Sequence, residues 1–401
     1  MTVILRRLVV TIVMFSSIFG WKSSHAEPAP EANSAFALDL YGQLKSTPGN
    51  LFFSPYSIST CLTMTYAGAR GDTERQMRHV LHLESDQRKV HAAFGELQRK
   101  LGKAGEQKGI ELNVANSLWA QKRHPFLPAF LDIAKAKYQA NVNQADFVTE
   151  SEKARDEINH WVAQKTKDKI QNILPPGSLT GLTRLVLANA IYFKGAWGEP
   201  FDKDQTASQP FHLSGNRNRN VPLMHHFDTV KYMDDGEFQA VELPYHGGEL
   251  SMVVLLPRRI DGCGQLEARL SPALISRSLG QMKQQRVEIF LPRFKLESGM
   301  DINDALANLG MPDAFGPQSD FSGMDGSKWL YISGVYHKAW GEVNEAGTEA
   351  AAATAVAVAG SAVSKPPPPP PIFRPDHPFV FFIRDTRSGC MLFLGRLAEP
   401  G

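Results

Sequence analysis

Side chains capable of chemistry are present, but their spacing assembles no reaction centre. His225 and His226 are the only adjacent histidine pair, and no carboxylate stands at metal-ligand spacing from them, so they read as two histidines of a surface or strand. Cys61, Cys263 and Cys390 are odd in number and widely separated. They match neither a metal knuckle nor a disulfide framework and read as free or buried thiols, with Cys263, in the turn DGCG, the one placed to be exposed. The sequence lacks the G-x-S-x-G elbow, H-E-x-x-H, the phosphate-binding G-x-x-x-x-G-K-S/T loop and G-x-G-x-x-G. Arg70-Gly71-Asp72 matches an adhesion tripeptide, but three residues specify little, and a turn after a helix with Gly71 taking the bend is the simpler reading. No enzyme activity, cofactor or metal is expected.

The elements that would position a site belong to a large soluble body. With 401 residues, 43% of them hydrophobic and 21% charged, the chain can bury a substantial core. Residues 1–26 read separately: Arg6 and Arg7 precede the apolar run Leu8 to Phe19, and Ser24-His25-Ala26 resembles a signal-peptidase site. The expectation is therefore a removed leader and a secreted protein, extracellular or periplasmic, with no membrane anchor afterwards. The absence of an Asn-x-Ser/Thr sequon fits a bacterial exported protein. Removal takes Arg6, Arg7 and Lys22 from 43 bases and nothing from 41 acids, leaving 40 against 41, which suggests no nucleic-acid partner.

The first half has helical periodicity. Over residues 151–174, Ala154, Ile158, Trp161, Val162 and Ile170 fall on one face, with charges opposite. From about residue 184, short β-branched or aromatic runs end in Pro or Gly: RLVLANAIYF, QAVELPY, LSMVVLLP and RVEIFLPRF. HPFVFFIRD and CMLFLGRLAEP read as paired strands about an Asp-Thr-Arg-Ser-Gly turn. Helices followed by strands, without a linker, predict an α+β fold with residues 27–401 as one domain.

Against that background the stretch GTEAAAATAVAVAGSAVSKPPPPPP, residues 347–371, is anomalous. It has one acid, a run of alanines and valines with no large side chain, and six consecutive prolines at 366–371. Proline lacks the amide donor a sheet interior needs, so a long exposed loop, about residues 345–376, is expected between core strands.

Four segments, NLFFSPYSIS (50–59), LANAIYFKGAWGEPF (187–201), HKAWGEVNEAGTEAAAAT (337–354) and HPFVFFIRD (377–385), are similar in order and spacing to motifs of the serpin family. The resemblance runs from about residue 34 to 400. It implies three β-sheets, about nine helices and an exposed reactive loop that baits a protease, is cut, and inserts as a new central strand carrying the acylated protease. It also implies a hinge at Glu345, Gly347, Thr348, Glu349, Ala350, Ala351, Ala352 and Ala353, and Trp197 where insertion begins. Ser54, Ser57, Asn189 and His337 would form the polar cluster under the sheet centre that lets the strands part.

A strand alternates faces. With Thr348 inward, Ala350, Ala352, Thr354, Val356 and Val358 follow it, and Glu349, the single charge, falls outward. The family's usual seventeen residues from Glu345 reach Ser361, placing the cut at Ser361-Ala362. Lys365 is the nearest basic residue, but Pro366 follows it and disfavours trypsin-like cleavage. The small residues around the bond suit an elastase-like or subtilisin-like serine protease, with a cysteine protease of relaxed specificity as the other partner considered. The protein is expected to act as a monomer, and a non-inhibitory serpin-like binding protein is the alternative.

Overall fold

The computed structural model describes residues 28–140, 142–215, 217–347 and 368–401. Six helices dominate the first part: α1 (Pro28–Leu44), α2 (Pro55–Tyr66), α3 (Gly71–Val80), α4 (Gln87–Gly105), α5 (Pro128–Tyr138) and α6 (Ser151–Lys165). Interleaved with them are β1 (Leu51–Phe53), β2 (Ile110–Gln121) and β3 (Val142–Ala145). The strand-rich part holds β4 (Leu185–Gly195), β5 (Ala207–Leu213), β6 (Arg217–Asp234), β7 (Phe238–Pro244), β8 (Leu250–Pro257), β9 (Lys283–Pro292) and β10 (Phe294–Asp301). β11 (Ile332–Val343), β12 (Ile372–Phe373), β13 (Phe379–Asp385) and β14 (Met391–Leu397) complete it, with α7 (Cys263–Arg269), α8 (Pro272–Gln281), α9 (Asn303–Leu309) and α10 (Ser322–Asp325) between.

The expected α+β class is observed, with ten α-helices among the described residues. Five strands form one sheet in the order β10-β11-β4-β2-β3. The other strands form a nine-stranded network, because β6 pairs with β5, then β9, then β7 and so joins what would be two separate sheets. β13 and β14 pair antiparallel, as their sequence predicts.

The periodic stretch 151–174 is helical only to Lys165. Its apolar face continues into the chain at Ile170, but Lys167 and Asp168 adopt left-handed φ values of 52° and 60° and end the helix. α6 lies across the five-stranded sheet, packing Ile158 and Val162 with Trp119, Tyr192, Tyr336 and Trp340. The opposite face packs on the main core through Leu187, Ile191, Val335 and Ala339, with α2 in the same core. Alternation along β4 and β11 therefore separates two apolar layers.

Candidate functional site

The centre of the five-stranded sheet is a parallel pairing. β11 runs beside β4 from Ile332↔Leu185 to Gly341↔Phe193 with no strand between them. Both strands point to the same pole, and there the chain leaves β11 toward the loop. Asn344 and Gly347 close a tight turn, the Asn344 N–H donating to Gly347 O at 2.9 Å and the Gly347 N–H to Asn344 O at 3.1 Å. Gly347 is also bridged antiparallel to Ala196, just beyond the end of β4. It thus lies in the mouth between the two central strands.

Glycine is required at that point. Its φ is +104°, and a Cβ would be driven into Gly195 O, Trp197 N and Ala196 Cα. Trp197 covers the mouth: its backbone N–H donates to Ala346 O at 3.1 Å and its indole N–H to Asn344 O at 3.0 Å, while its ring stacks on Tyr245. Glu345 is buried beside it, accepting from Thr206 Oγ1 at 2.7 Å and paired with Arg293. Burial alone would raise the Glu345 carboxyl, but the bonds from Arg293 and Thr206 outweigh it and hold the group below its ordinary value.

The second cluster lies midway down the same seam. Proline at the first turn and Ser54 as N-cap start α2, the Ser54 hydroxyl accepting from the Ser57 N–H at 3.1 Å. The Ser54 hydroxyl in turn donates to Leu392 O at 2.6 Å, tying α2 to β14. The Ser54 N–H donates to His337 Nε2 at 3.0 Å, so that nitrogen is bare and the proton sits on Nδ1, which donates to Asn189 Oδ1. Asn189 Nδ2 donates to Ser57 Oγ at 2.7 Å and to Asn116 Oδ1. Burial pushes the His337 imidazole down to about 3, consistent with a network that has one proton slot and no room for a second.

The structure brings Ser54, Ser57, Asn189 and His337 together and sets Trp197, Glu345 and Gly347 at the mouth above them. Thr348, Glu349, Ala350, Ala351, Ala352, Ala353, Ser361 and Ala362 lie outside the described residues. Sequence reasoning missed Asn116, which sits directly opposite Asn189 in the β2–β4 ladder. A polar residue interrupting the strand ANSLWA was the available signal. It also missed Arg293 and Thr206, whose partnership with Glu345 depends on tertiary contact alone.

The remaining chemistry candidates are structural. All three cysteines are buried, Cys263 included, and burial pushes its thiol up to about 12, so the exposure expected for it is corrected. A short helix begins at Cys263 and turns the side chain inward. His225 pairs with Glu288 at 3.1 Å, and His226 packs on Phe201 within β6. Among the described residues no cluster of three metal-ligating side chains occurs and no helix is long and apolar enough to cross a membrane. Gly71 opens α3 with φ of +57°, the bend expected of the Arg70-Gly71-Asp72 turn.

Comparison with known proteins converges on one lineage. The chain is 39% identical to Serpin B3 of Homo sapiens over 390 residues, 92% of this chain and 99% of that protein. It is 41% identical to the leukocyte elastase inhibitor of Sus scrofa, covering 93% of this chain and 100% of that one. The structure of uncleaved ovalbumin superposes with a TM-score of 0.84 at 30% identity, over 94% of this chain and 100% of that one.

These relatives correct the expectation of a secreted protein. Serpin B3 and the leukocyte elastase inhibitor belong to a group of serpins that are intracellular and lack a signal peptide. A largely apolar twelve-residue run behind two arginines is a pattern of composition, which does not itself establish export, and residues 1–26 lie outside the described residues. The model of the serine protease inhibitor family matches residues 31–400, and with the directly paired β4 and β11 and the loop leaving between them, the chain belongs to the serpins.

Proposed function

We propose that this protein inhibits a serine protease by offering Ser361-Ala362 as bait and trapping the acylated enzyme as residues 348–361 insert between β11 and β4. The protein contributes no catalytic group, since the nucleophile is the protease's serine. The observation that carries the reading is the double bridge of Gly347 to Asn344 and Ala196. Extending both antiparallel registers places Thr348 between Val343 and Gly195, residues already offset as Gly341 and Phe193 are in the present ladder. The same count sets Ala350, Ala352, Val356 and Val358 on the face of Phe193, Ile191, Leu187 and Leu185, which belong to the main core. Glu349 falls on the other face, level with Glu342 and Lys194. The composition and the register therefore agree at every inward position.

Insertion would add roughly ten ladder bonds at about 1 kcal/mol net each, together with buried methyl groups. The uncut protein is then a kinetically held state whose useful stability is a rate. Each inward residue is small enough to enter without displacing a core side chain. That favours inhibition over a binding role, for which a bulky or charged hinge would suffice. Small side chains from Val358 to Val363 fit an elastase-like or subtilisin-like enzyme, and relatives named leukocyte elastase inhibitors support that choice.

The proline tract follows the cut and need not enter the sheet. Pro371 O accepts from the Glu288 N–H at 2.9 Å, and β12 then pairs with β9 at the edge of the nine-stranded network. At about 3.1 Å per residue a polyproline tract would hold the bait away from this anchor.

The test is incubation with pancreatic elastase, subtilisin, trypsin and papain followed by denaturing electrophoresis. An adduct surviving denaturation with elastase or subtilisin, accompanied by a 40-residue fragment Ala362–Gly401, is expected. A fragment beginning at Pro366, or an adduct with trypsin alone, would overturn the bond assignment. Cleavage by every enzyme without an adduct would favour the non-inhibitory alternative.

A further inference from the structure

The last four of the six consecutive prolines, Pro368–Pro371, are among the described residues and run directly into β12. Covalent geometry sets their shape. Each ring fixes φ at about −65°, and a proline that precedes another is driven out of the helical region, so the run is a left-handed polyproline II helix with about three residues per turn. Pro368 and Pro371 thus share one edge of it. Pro368 and Pro369 are exposed. The run has no amide donor, and of its carbonyls only that of Pro371 meets a donor among the described residues, the Glu288 N–H.

The surface at the foot of this helix is apolar. β12 pairs with β9 at Ile372↔Glu288, and the same rung continues across β9 to β6 at Glu288↔Phe227. Residues on one rung project from the same face of a sheet, and two strand spacings set Ile372 and Phe227 about 10 Å apart. Ile372 is 53% exposed there and Phe227 46%. The Arg286 guanidinium lies over the Phe227 ring at 5.2 Å and adds positive charge beside it. Single exposed apolar residues are ordinary; two on one rung, at the base of a rigid proline helix, make a continuous contact surface.

We infer that Pro368–Pro371, with Ile372 and Phe227 beside them, form a recognition site for a separate protein domain that reads polyproline II in an aromatic-lined groove. The chemistry of the run selects that occupant. Without N–H groups it cannot add a strand to a partner's sheet; it offers ring faces to aromatic side chains and unclaimed carbonyls to indole or phenol donors. Its conformation is fixed before binding, so little ordering entropy is lost on association. An acidic rim on the groove would meet Arg286. Pro368 is seven residues from Ser361, at most about 25 Å of extended chain, which is less than the width of a folded domain, roughly 30 Å for about 100 residues. A domain seated on the tract would therefore stand in the approach of a protease to the bait and slow inhibition. That consequence rests on the inhibitory reading above, whereas the recognition itself does not. Cleavage at Ser361-Ala362 would leave the site whole, because the tract stays with the fragment that begins at Ala362.

Isotope-labelled SH3, WW and EVH1 domains, which carry such grooves, titrated with the whole protein test this. Shifts confined to the groove aromatics of at least one domain are expected. Its affinity should fall at least tenfold when Pro368→Gly and Pro369→Gly are combined and at least threefold for Phe227→Ser, with the melting temperature of each variant unchanged. Protein nicked by thermolysin, a metalloprotease that forms no acyl-enzyme, should bind as the uncut protein does, and adduct formation with subtilisin should be at least threefold slower when the domain is saturating. No shift in any of the three domains, or an affinity that neither substitution alters, would overturn the recognition site while leaving inhibition intact. Self-association of the protein that the same prolines control would assign the tract to a second copy and overturn it also. Binding of the domain by a protein that forms no adduct with any protease would instead overturn the inhibitory reading, and the slowing of inhibition with it, while the recognition site stands.

Discussion

His337 Nδ1 donates to Asn189 Oδ1 across the seam between β11 and β4, and both residues are fully buried. No strand can enter that seam without breaking this bond. In the proposed inserted strand, the register extended from Gly347 would bring Thr354 to the same rung, between His337 and Asn189. Among the residues proposed to face inward from Ala350 to Val358 it alone has a hydroxyl, and it would arrive where a donor and an acceptor had just been separated.

Thr354→Val should therefore leave the uncut protein unchanged and weaken the loop-cleaved form by about 1–3 kcal/mol, the cost of buried polar groups left without partners. Paired urea melts of uncut and cleaved protein measure this. Equal effects on the two forms would place Thr354 elsewhere.

Acid should loosen the same seam. Above pH 6.5 neither the native nor the unfolded state binds a proton at His337, and it contributes nothing to the pH dependence. Between 6.5 and about 3 the unfolded chain takes up a proton that the buried native imidazole refuses, so stability falls as pH falls. His91, also buried and held down to about 4, adds to the slope. Each group contributes up to about 1.4 kcal/mol per pH unit. Unfolding followed from pH 7 to 4 should show the loss, and His337→Gln should make it shallower. An unaltered slope would show that His337 is not the responsive group.

Thr348→Arg should convert the inhibitor into a substrate. Its side chain would have to enter first, between Val343 and Gly195, bringing an unpaired cation into an apolar seam at a cost of several kcal/mol. The bond at Ser361-Ala362 would remain available. Cleavage at a similar rate with release of active protease is expected in a progress-curve assay. An adduct formed at the original stoichiometry would contradict insertion.

Much of this was legible before any coordinates. HPFVFFIRD and CMLFLGRLAEP advertise the antiparallel pair β13–β14, while the alternation of small residues after Gly347, with Glu349 on the other face, is the sequence feature on which the proposed insertion rests. Ser54, Ser57, Asn189 and His337 were accessible only through their motifs, because residues so distant in the chain meet through packing. Asn116 was signalled only by a polar residue within the strand ANSLWA, and Arg293 carried no local signature; the partners of both, Asn189 and Glu345, are brought to them by tertiary contact. The helix from 151 ran short of its periodicity because burial continues through Ile170 after the backbone has turned. The leader-like segment misled about location because a basic start followed by an apolar run does not by itself specify a destination.

The most direct measurement is the melting temperature before and after thermolysin nicks the loop. If residues 348–361 enter between β11 and β4, the nicked protein gains a sixth strand in that sheet and its transition rises, by on the order of ten degrees or more for roughly ten added ladder bonds. An unchanged or lowered transition after complete cleavage would mean that the loop stays outside the sheet, contradicting insertion as the means of inhibition.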